Sequence, residues 1–177
     1  MIAQLAVAAH PERVDSLVLV ACDAFEVFPP GAYRLLFRLA RVPGVIRLLG
    51  AALSLPGFAR SRLGFGALVR GTSRLGGSDR LLADRLIRRD LCKLISGSSR
   101  SQTLRAARSF RDYDRPVLVV WAAEDRLFPR SLGQRLAEAF PRGRMVVVPG
   151  SRTFVPVDQP RPLARLIGEF LEREVPT

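Results

Sequence analysis

The segment RPVLVVWAAED, residues 115–125, contains one of the longest apolar runs in the chain and ends in two carboxylates. Its centre, Val117–Ala123, is rich in valine and is bounded by polar residues and a proline. Such a run predicts a strand that is covered on both faces in a parallel sheet. Functional loops of parallel sheets follow the carboxyl ends of the strands, which makes Asp125 the first candidate functional residue.

Two further runs, Val14–Val20 and Arg144–Gly150, repeat this pattern. The spacing of leucine and phenylalanine predicts a helix over Pro129–Phe140, and a closing helix is marked by Leu163, Ile167, Phe170 and Leu171. The Ala-rich segment Ile2–His10 predicts a buried helix that ends at Pro11. Strands alternating with helices, joined by right-handed crossovers, predict an α/β fold with about three parallel strands and flanking helices.

Residues 31–111 contain helix-like patterns and no strand-like run. They carry 17 basic and three acidic side chains, whereas the rest of the chain is close to neutral. The pattern predicts one helix from a cap at Ser78 to about Ile95 and a second over Gln102–Arg111. We therefore expect a core of residues 1–30 and 112–177 with an Arg-rich helical insert of residues 31–111.

The basic charge allows two interpretations. A positive surface attracts nucleic acid, acidic proteins or anionic lipid, which would make the chain a non-catalytic binding module and predicts weak, salt-dependent binding of polyanions without sequence preference. However, 27 of the 28 basic residues are arginine, which favours a compositional bias with charges on solvated helix faces. No nucleic-acid motif or aromatic stacking platform accompanies the charge.

The reactive side chains are few. One histidine, His10, and two cysteines, Cys22 and Cys92, do not form an ordinary zinc ligand set or a disulfide framework, so we expect no metal, no cofactor and a reducing environment. The amino-terminal residues lack the basic region of a signal peptide, and no apolar run is long enough to span a bilayer. These features predict a cytoplasmic protein without a membrane span.

The candidate catalytic residues lie in two loops. Asp125 could orient a catalytic imidazole, or it could be an exposed turn acid that pairs with Arg126 or Arg130. The loop after the third strand offers Thr153 and Arg152, and neither side chain is a competent general base near neutral pH. His10 precedes the amino end of a strand, on the side opposite the functional loops, and is predicted to cap a helix or contact the surface.

These segments resemble the α/β-hydrolase superfamily, especially its esterase-like and haloalkane-dehalogenase-like members. Residues 2–19 are similar to the helix after the nucleophile elbow and the strand that follows it. Asp125, within WAAEDRLFP, matches the position at which the family commonly has its catalytic acid, and the resemblance implies that role for it. TFVPVDQP, residues 153–160, is similar to the segment that normally bears the catalytic histidine, and residues 31–111 then correspond to a helical cap. The implied chemistry is hydrolysis of an ester or carbon–halogen bond in a small molecule.

The departures from the family pattern concern the catalytic groups. In the family, the Gly-x-Ser-x-Gly elbow or its Asp-bearing variant lies shortly before the helix that Ile2–His10 resembles. The resemblance therefore implies that this chain is the carboxyl-terminal part of the fold, without the nucleophile or the complete oxyanion hole. Thr153 stands at the histidine position, so we expect little or no activity from the isolated chain. Phe128 and Phe154 are candidate substrate-lining residues, and Trp121 is predicted to pack in the core.

The resemblance also implies a partner for the first strand. In the family, the strand that Val14–Val20 resembles pairs on both sides, on one of them with a strand of the amino-terminal half. An unpaired edge that is apolar on both faces promotes aggregation. We therefore expect self-association of the isolated chain through this strand.

Overall fold

Three parallel strands form the centre of the structure, as the sequence predicts. They are β1 (Leu17–Val20), β2 (Val117–Ala122) and β3 (Gly143–Val148), in the order β1-β2-β3. Leu17 lies opposite Val117, which in turn lies opposite Gly143. The computed structural model describes residues 1–29, 31, 34–39, 42, 44–45, 48, 51–52, 55, 61, 65–71 and 84–174. The predicted fold class is confirmed.

Helices cover the sheet and form most of the remaining described chain. In chain order they are α1 (Ile2–Ala9), α2 (Arg34–Leu39), α3 (Arg85–Gly97), α4 (Arg100–Arg108), α5 (Arg130–Glu138), α6 (Val155–Asp158) and α7 (Pro160–Glu174). Short 3-10 turns occur at Pro11–Arg13, Phe65–Ala67 and Phe110–Asp112. No helix in this part of the chain combines the length and apolar character needed to cross a membrane.

The two faces of β2 belong to two separate apolar clusters. Side chains alternate across a strand, so Val117, Val119 and Trp121 face one cluster, which also contains residues of α1, α4 and α5. The other cluster takes the remaining β2 residues together with Val148, Val155, Leu163 and Phe170. Every β2 residue is buried, which explains why the strand reads as an uninterrupted apolar run.

Two helix starts differ from the sequence prediction. The helix predicted to begin with a cap at Ser78 begins instead after Asp84, whose carboxylate accepts hydrogen bonds from the amides of Leu86 and Ile87. Ser78 itself lies outside the described residues. Helix α4 begins at Arg100, two positions earlier than predicted, because Ser99 and Gln102 form a capping box. Each cap satisfies amide groups that the first turn leaves without helical partners.

The described part of residues 31–111 consists of helices, a short 3-10 turn and loops, and it contains no strand. The division into a core and an insert remains a prediction. Helix α4, which belongs to the predicted insert, packs against the sheet of the predicted core. Its Ala106, and Phe110 just after it, belong to the same apolar cluster as β1 and β2. The phenyl rings of Phe110 and Phe140 stack with their centroids 4.4 Å apart.

Candidate functional site

Backbone hydrogen bonds join the loops that follow β2 and β3. The Ala123 amide donates to the Val148 carbonyl at 3.0 Å, and the Glu124 amide donates to the Ser151 carbonyl at 3.0 Å. The hydroxyl of Ser151, which is fully buried, donates back to the Val148 carbonyl at 2.7 Å. Because the strands are parallel, both loops leave the same edge of the sheet, and these bonds hold them together.

This junction places Asp125 beside Thr153. The Thr153 hydroxyl, in a residue that is only 4% exposed, donates to Asp125 Oδ1 at 2.8 Å. The same oxygen accepts the amides of Leu127 at 2.8 Å and Phe128 at 3.0 Å. Among the described residues, no arginine forms an ion pair with Asp125. Its carboxylate is therefore held by the backbone of its own turn and by the threonine.

The second carboxylate oxygen of Asp125 has no such partner. Oδ2 is buried and accepts no hydrogen bond from any described residue. A buried acceptor without a donor is unfavourable by about 1–3 kcal/mol. The oxygen can therefore accept one more donor. An imidazole N–H would be such a donor in a catalytic triad, whereas the single hydroxyl hydrogen of Thr153 is already directed at Oδ1.

Asp158 connects this site to a segment of the predicted insert. Its side chain is 3% exposed, and Oδ1 accepts the amides of Arg70 at 2.8 Å and Gly71 at 3.4 Å. Oδ2 accepts the amide of Arg152 at 2.8 Å. One carboxylate thus binds backbone donors from both the 66–71 segment and the loop that bears Thr153.

Arg152 makes the complementary contacts. Its Nη1 atom donates to the carbonyl of Gly66, within the 3-10 turn Phe65–Ala67, at 2.9 Å and to that of Val69, just after the turn, at 2.8 Å. The Phe154 amide adds a bond to the Leu68 carbonyl at 3.0 Å. We call this set of contacts, together with those of Asp158, the 66–71 clamp. The exposed ion pair between Arg70 and Glu124 lies at its rim and contributes little.

The other sequence-predicted residues lie at different depths. Phe128 is buried in the core, where its carbonyl accepts the Trp121 indole N–H at 3.3 Å. Phe154 is 37% exposed. The substrate-lining role of these two phenylalanines remains a prediction. His10 is exposed near Glu12, at the end of α1 that leads to the amino end of β1. It therefore lies at the opposite edge of the sheet from Asp125.

A second buried polar group, formed by Gln4 of α1 and Asp23 in the loop after β1, was missed by the sequence analysis. Gln4, fully buried, donates through Nε2 to the Asp23 carbonyl at 2.6 Å. Gln4 Oε1 and Asp23 Oδ2 are buried and accept nothing from the described residues, while Asp23 Oδ1 pairs with the Met1 ammonium at 3.2 Å. A glutamine in an otherwise apolar, Ala-rich helix was the available signal. No three metal-ligating side chains cluster in the described part of the chain.

Burial raises the pKa of the Cys22 thiol to about 12 from an ordinary value of 9.0. We expect Cys22 in a Cys92→Ala variant to react with a thiol reagent at pH 8 on the order of 1,000 times more slowly than in the unfolded chain, because the thiolate reacts. The unfolded thiol ionises first as pH rises, so this group stabilises the fold below about pH 9 and loses that contribution between pH 9 and 12. Labelling in buffer and in denaturant measures the ratio, and equal rates would contradict the burial.

The fold is shared with several solved structures. A serine hydrolase from the bacterium Cycloclasticus zankles superimposes with a TM-score of 0.68 at 16% identity, covering 98% of this chain and 61% of that one. A thermophilic esterase gives 0.63 at 20% identity, covering 98% and 62%. A 2-hydroxy-6-oxo-6-phenylhexa-2,4-dienoate hydrolase from Rhodococcus sp. strain RHA1 gives 0.66 at 16% identity, covering 94% and 58%. This chain spans about three fifths of the length of each.

No curated protein matches the sequence significantly. The family model described as the alpha/beta hydrolase fold matches residues 1–160. That range includes the three parallel strands and both loops that meet at Asp125 and Thr153. Family match, sheet topology and structural neighbours agree, and the chain belongs to the α/β-hydrolase superfamily.

Proposed function

We propose that this chain is the acid-bearing and insert-bearing part of an α/β-hydrolase that cleaves an ester or carbon–halogen bond in a small molecule, and that alone it has little or no activity. Asp125 takes the acid position and Thr153 the position of the base. The observation that carries the proposal is the 2.8 Å hydrogen bond from Thr153 Oγ1 to Asp125 Oδ1. A triad histidine donates its ring N–H to the acid in the same way.

The chemistry of threonine explains the expected lack of activity. A triad base must take a proton from the nucleophile and become a cation that the acid stabilises. The Thr153 hydroxyl stays neutral near pH 7 and cannot accept that proton. His10 cannot replace it, because it lies at the other edge of the sheet. The 177 residues also contain no Gly-x-Ser-x-Gly motif, and the proposed nucleophile is supplied from outside them.

The 66–71 clamp supports a cap role for residues 31–111. It ties a segment of that range to the loop that bears Thr153, through the buried Asp158 and the side chain of Arg152. Phe154, partly exposed in the same loop, is proposed to contact an apolar part of the substrate. Phe128 is proposed to support the site through the hydrogen bond that its backbone amide donates to Asp125 Oδ1, with its ring in the core.

The isolated chain is expected to show no turnover of p-nitrophenyl acetate or of 1,2-dibromoethane above the buffer rate, because it offers neither a base nor an elbow nucleophile. Product release is followed by absorbance and by halide production. The Asp125→Asn variant is the matched control, since it removes the charge and preserves the shape of the side chain. Turnover that Asp125→Asn abolishes would contradict the proposed inactivity.

A further inference from the structure

A cavity of about 260 Å³ opens between the loop after β1, helix α2 and the start of α4. Arg34, Arg38 and Arg100 line it. The Thr103 hydroxyl in the first turn of α4 donates to the carbonyl of Phe25, in the loop that follows β1, so Arg100 lies on the side of the sheet where β1 ends. The cavity therefore opens on the same side of the sheet as the loops that hold Asp125.

The cavity is strongly positive. No acidic side chain is among its described lining residues. The ion pairs between described residues do not include Arg34, Arg38 or Arg100. The nearby carboxylate of Glu26 is bound to Arg135, which is the main reason that its pKa is lowered; Arg100 contributes to that shift least. Like charges around one cavity repel one another, and a bound anion would relieve that repulsion.

Hydrogen bonds fix the wall that holds Arg100. Ser98, 5% exposed, donates to the Leu94 carbonyl, and Ser99 caps α4. The Thr103 hydroxyl donates to the Phe25 carbonyl at 2.6 Å, which ties the first turn of α4 to the loop after β1. The serine hydroxyls at the cavity are thus used inside the protein. The arginines remain the groups available to a ligand.

The remaining wall is apolar. Phe28 and Pro29 line the cavity beside the arginines. The volume lies just below the range of about 300–1,000 Å³ that accommodates drug-sized ligands, which suits a smaller molecule. A guanidinium group binds carboxylate or phosphate oxygens through parallel hydrogen bonds.

We propose that this cavity binds a small organic anion, with its carboxylate or phosphate group against Arg34, Arg38 and Arg100 and its apolar part against Phe28 and Pro29. This site differs from diffuse polyanion binding because it is a defined cavity with a fixed wall. It does not depend on the proposed hydrolytic function.

Titration of the full chain with benzoate, phenyl phosphate and inorganic phosphate tests the site. Calorimetry at constant ionic strength is expected to show saturable binding of the two aromatic anions and weaker binding of inorganic phosphate, which lacks the apolar part. The Arg34→Gln/Arg38→Gln variant and the Arg100→Gln variant are each expected to weaken binding at least tenfold, since a hydrogen bond to a charged group contributes about 1.5–3 kcal/mol.

The matched control is Arg165→Gln/Arg173→Gln, which removes two exposed charges from α7. It is expected to bind as the wild type does. Equal weakening in the control, a response that never saturates, or binding that survives in the cavity variants would overturn the proposal. Circular dichroism verifies the fold of each variant. If the double variant does not fold, the binding measured for the Arg38→Gln single variant tests the site instead.

Discussion

The Asp158→Ala variant is expected to unfold with a free energy about 3 kcal/mol lower than that of the wild type. Asp158 is buried, and its carboxylate accepts the backbone amides of Arg70, Gly71 and Arg152. Removing it leaves these partly buried donors without their acceptor, and each hydrogen bond to a charged group contributes about 1.5–3 kcal/mol. Urea denaturation followed by circular dichroism measures the difference.

Two comparisons locate the effect in the 66–71 clamp. Asp158→Asn preserves the shape of the side chain and one carbonyl oxygen, so it should lower the free energy of unfolding by less than Asp158→Ala does. Glu169→Ala removes an exposed acid of α7 and should leave stability within about 0.5 kcal/mol. Hydrogen exchange is expected to quicken at the amides of Arg70 and Arg152 in Asp158→Ala. Unchanged exchange there, or a stability equal to that of Glu169→Ala, would show that the carboxylate does not hold the segment.

The isolated chain is expected to self-associate through β1. Within the described residues this strand pairs only with β2: the Leu17 and Ala21 amides donate to the carbonyls of Pro116 and Val120. In a parallel ladder the alternate residues Val18 and Val20 direct their backbone groups to the other edge. Such an edge, with apolar side chains, pairs readily with a second chain.

Val18→Lys is expected to reduce this association, because a charge on an edge strand opposes pairing with another copy. Leu171→Lys introduces the same charge in place of an apolar side chain, at an exposed position of α7, and should leave the association unchanged. Size-exclusion chromatography over a range of protein concentrations measures the association of the wild type and of both variants. A wild-type chain that is a monodisperse monomer and unfolds cooperatively above about 60 °C would contradict the prediction.

The local sequence pattern was sufficient to predict the sheet and most of the helices. The apolar run in β2 and its repeats in β1 and β3 predicted three parallel strands, because a strand covered on both faces needs continuous apolar residues. The same local pattern placed one helix start at Ser78, whereas the helix starts after Asp84. Serine and aspartate both cap helices well, so composition alone does not choose between them.

The sequence by itself determined the residue types of the candidate site: a carboxylate at Asp125 after a buried strand, and a threonine, Thr153, in the segment whose resemblance to the family predicts a histidine. Their contact was decided by the tertiary structure, in which backbone bonds join the loops after β2 and β3. Only the tertiary structure revealed the role of Asp158, whose bond to the Arg70 amide joins positions 88 residues apart. A periodic pattern reports on neighbours within a helix or strand, whereas a buried carboxylate is satisfied by whichever donors the folded chain brings to it.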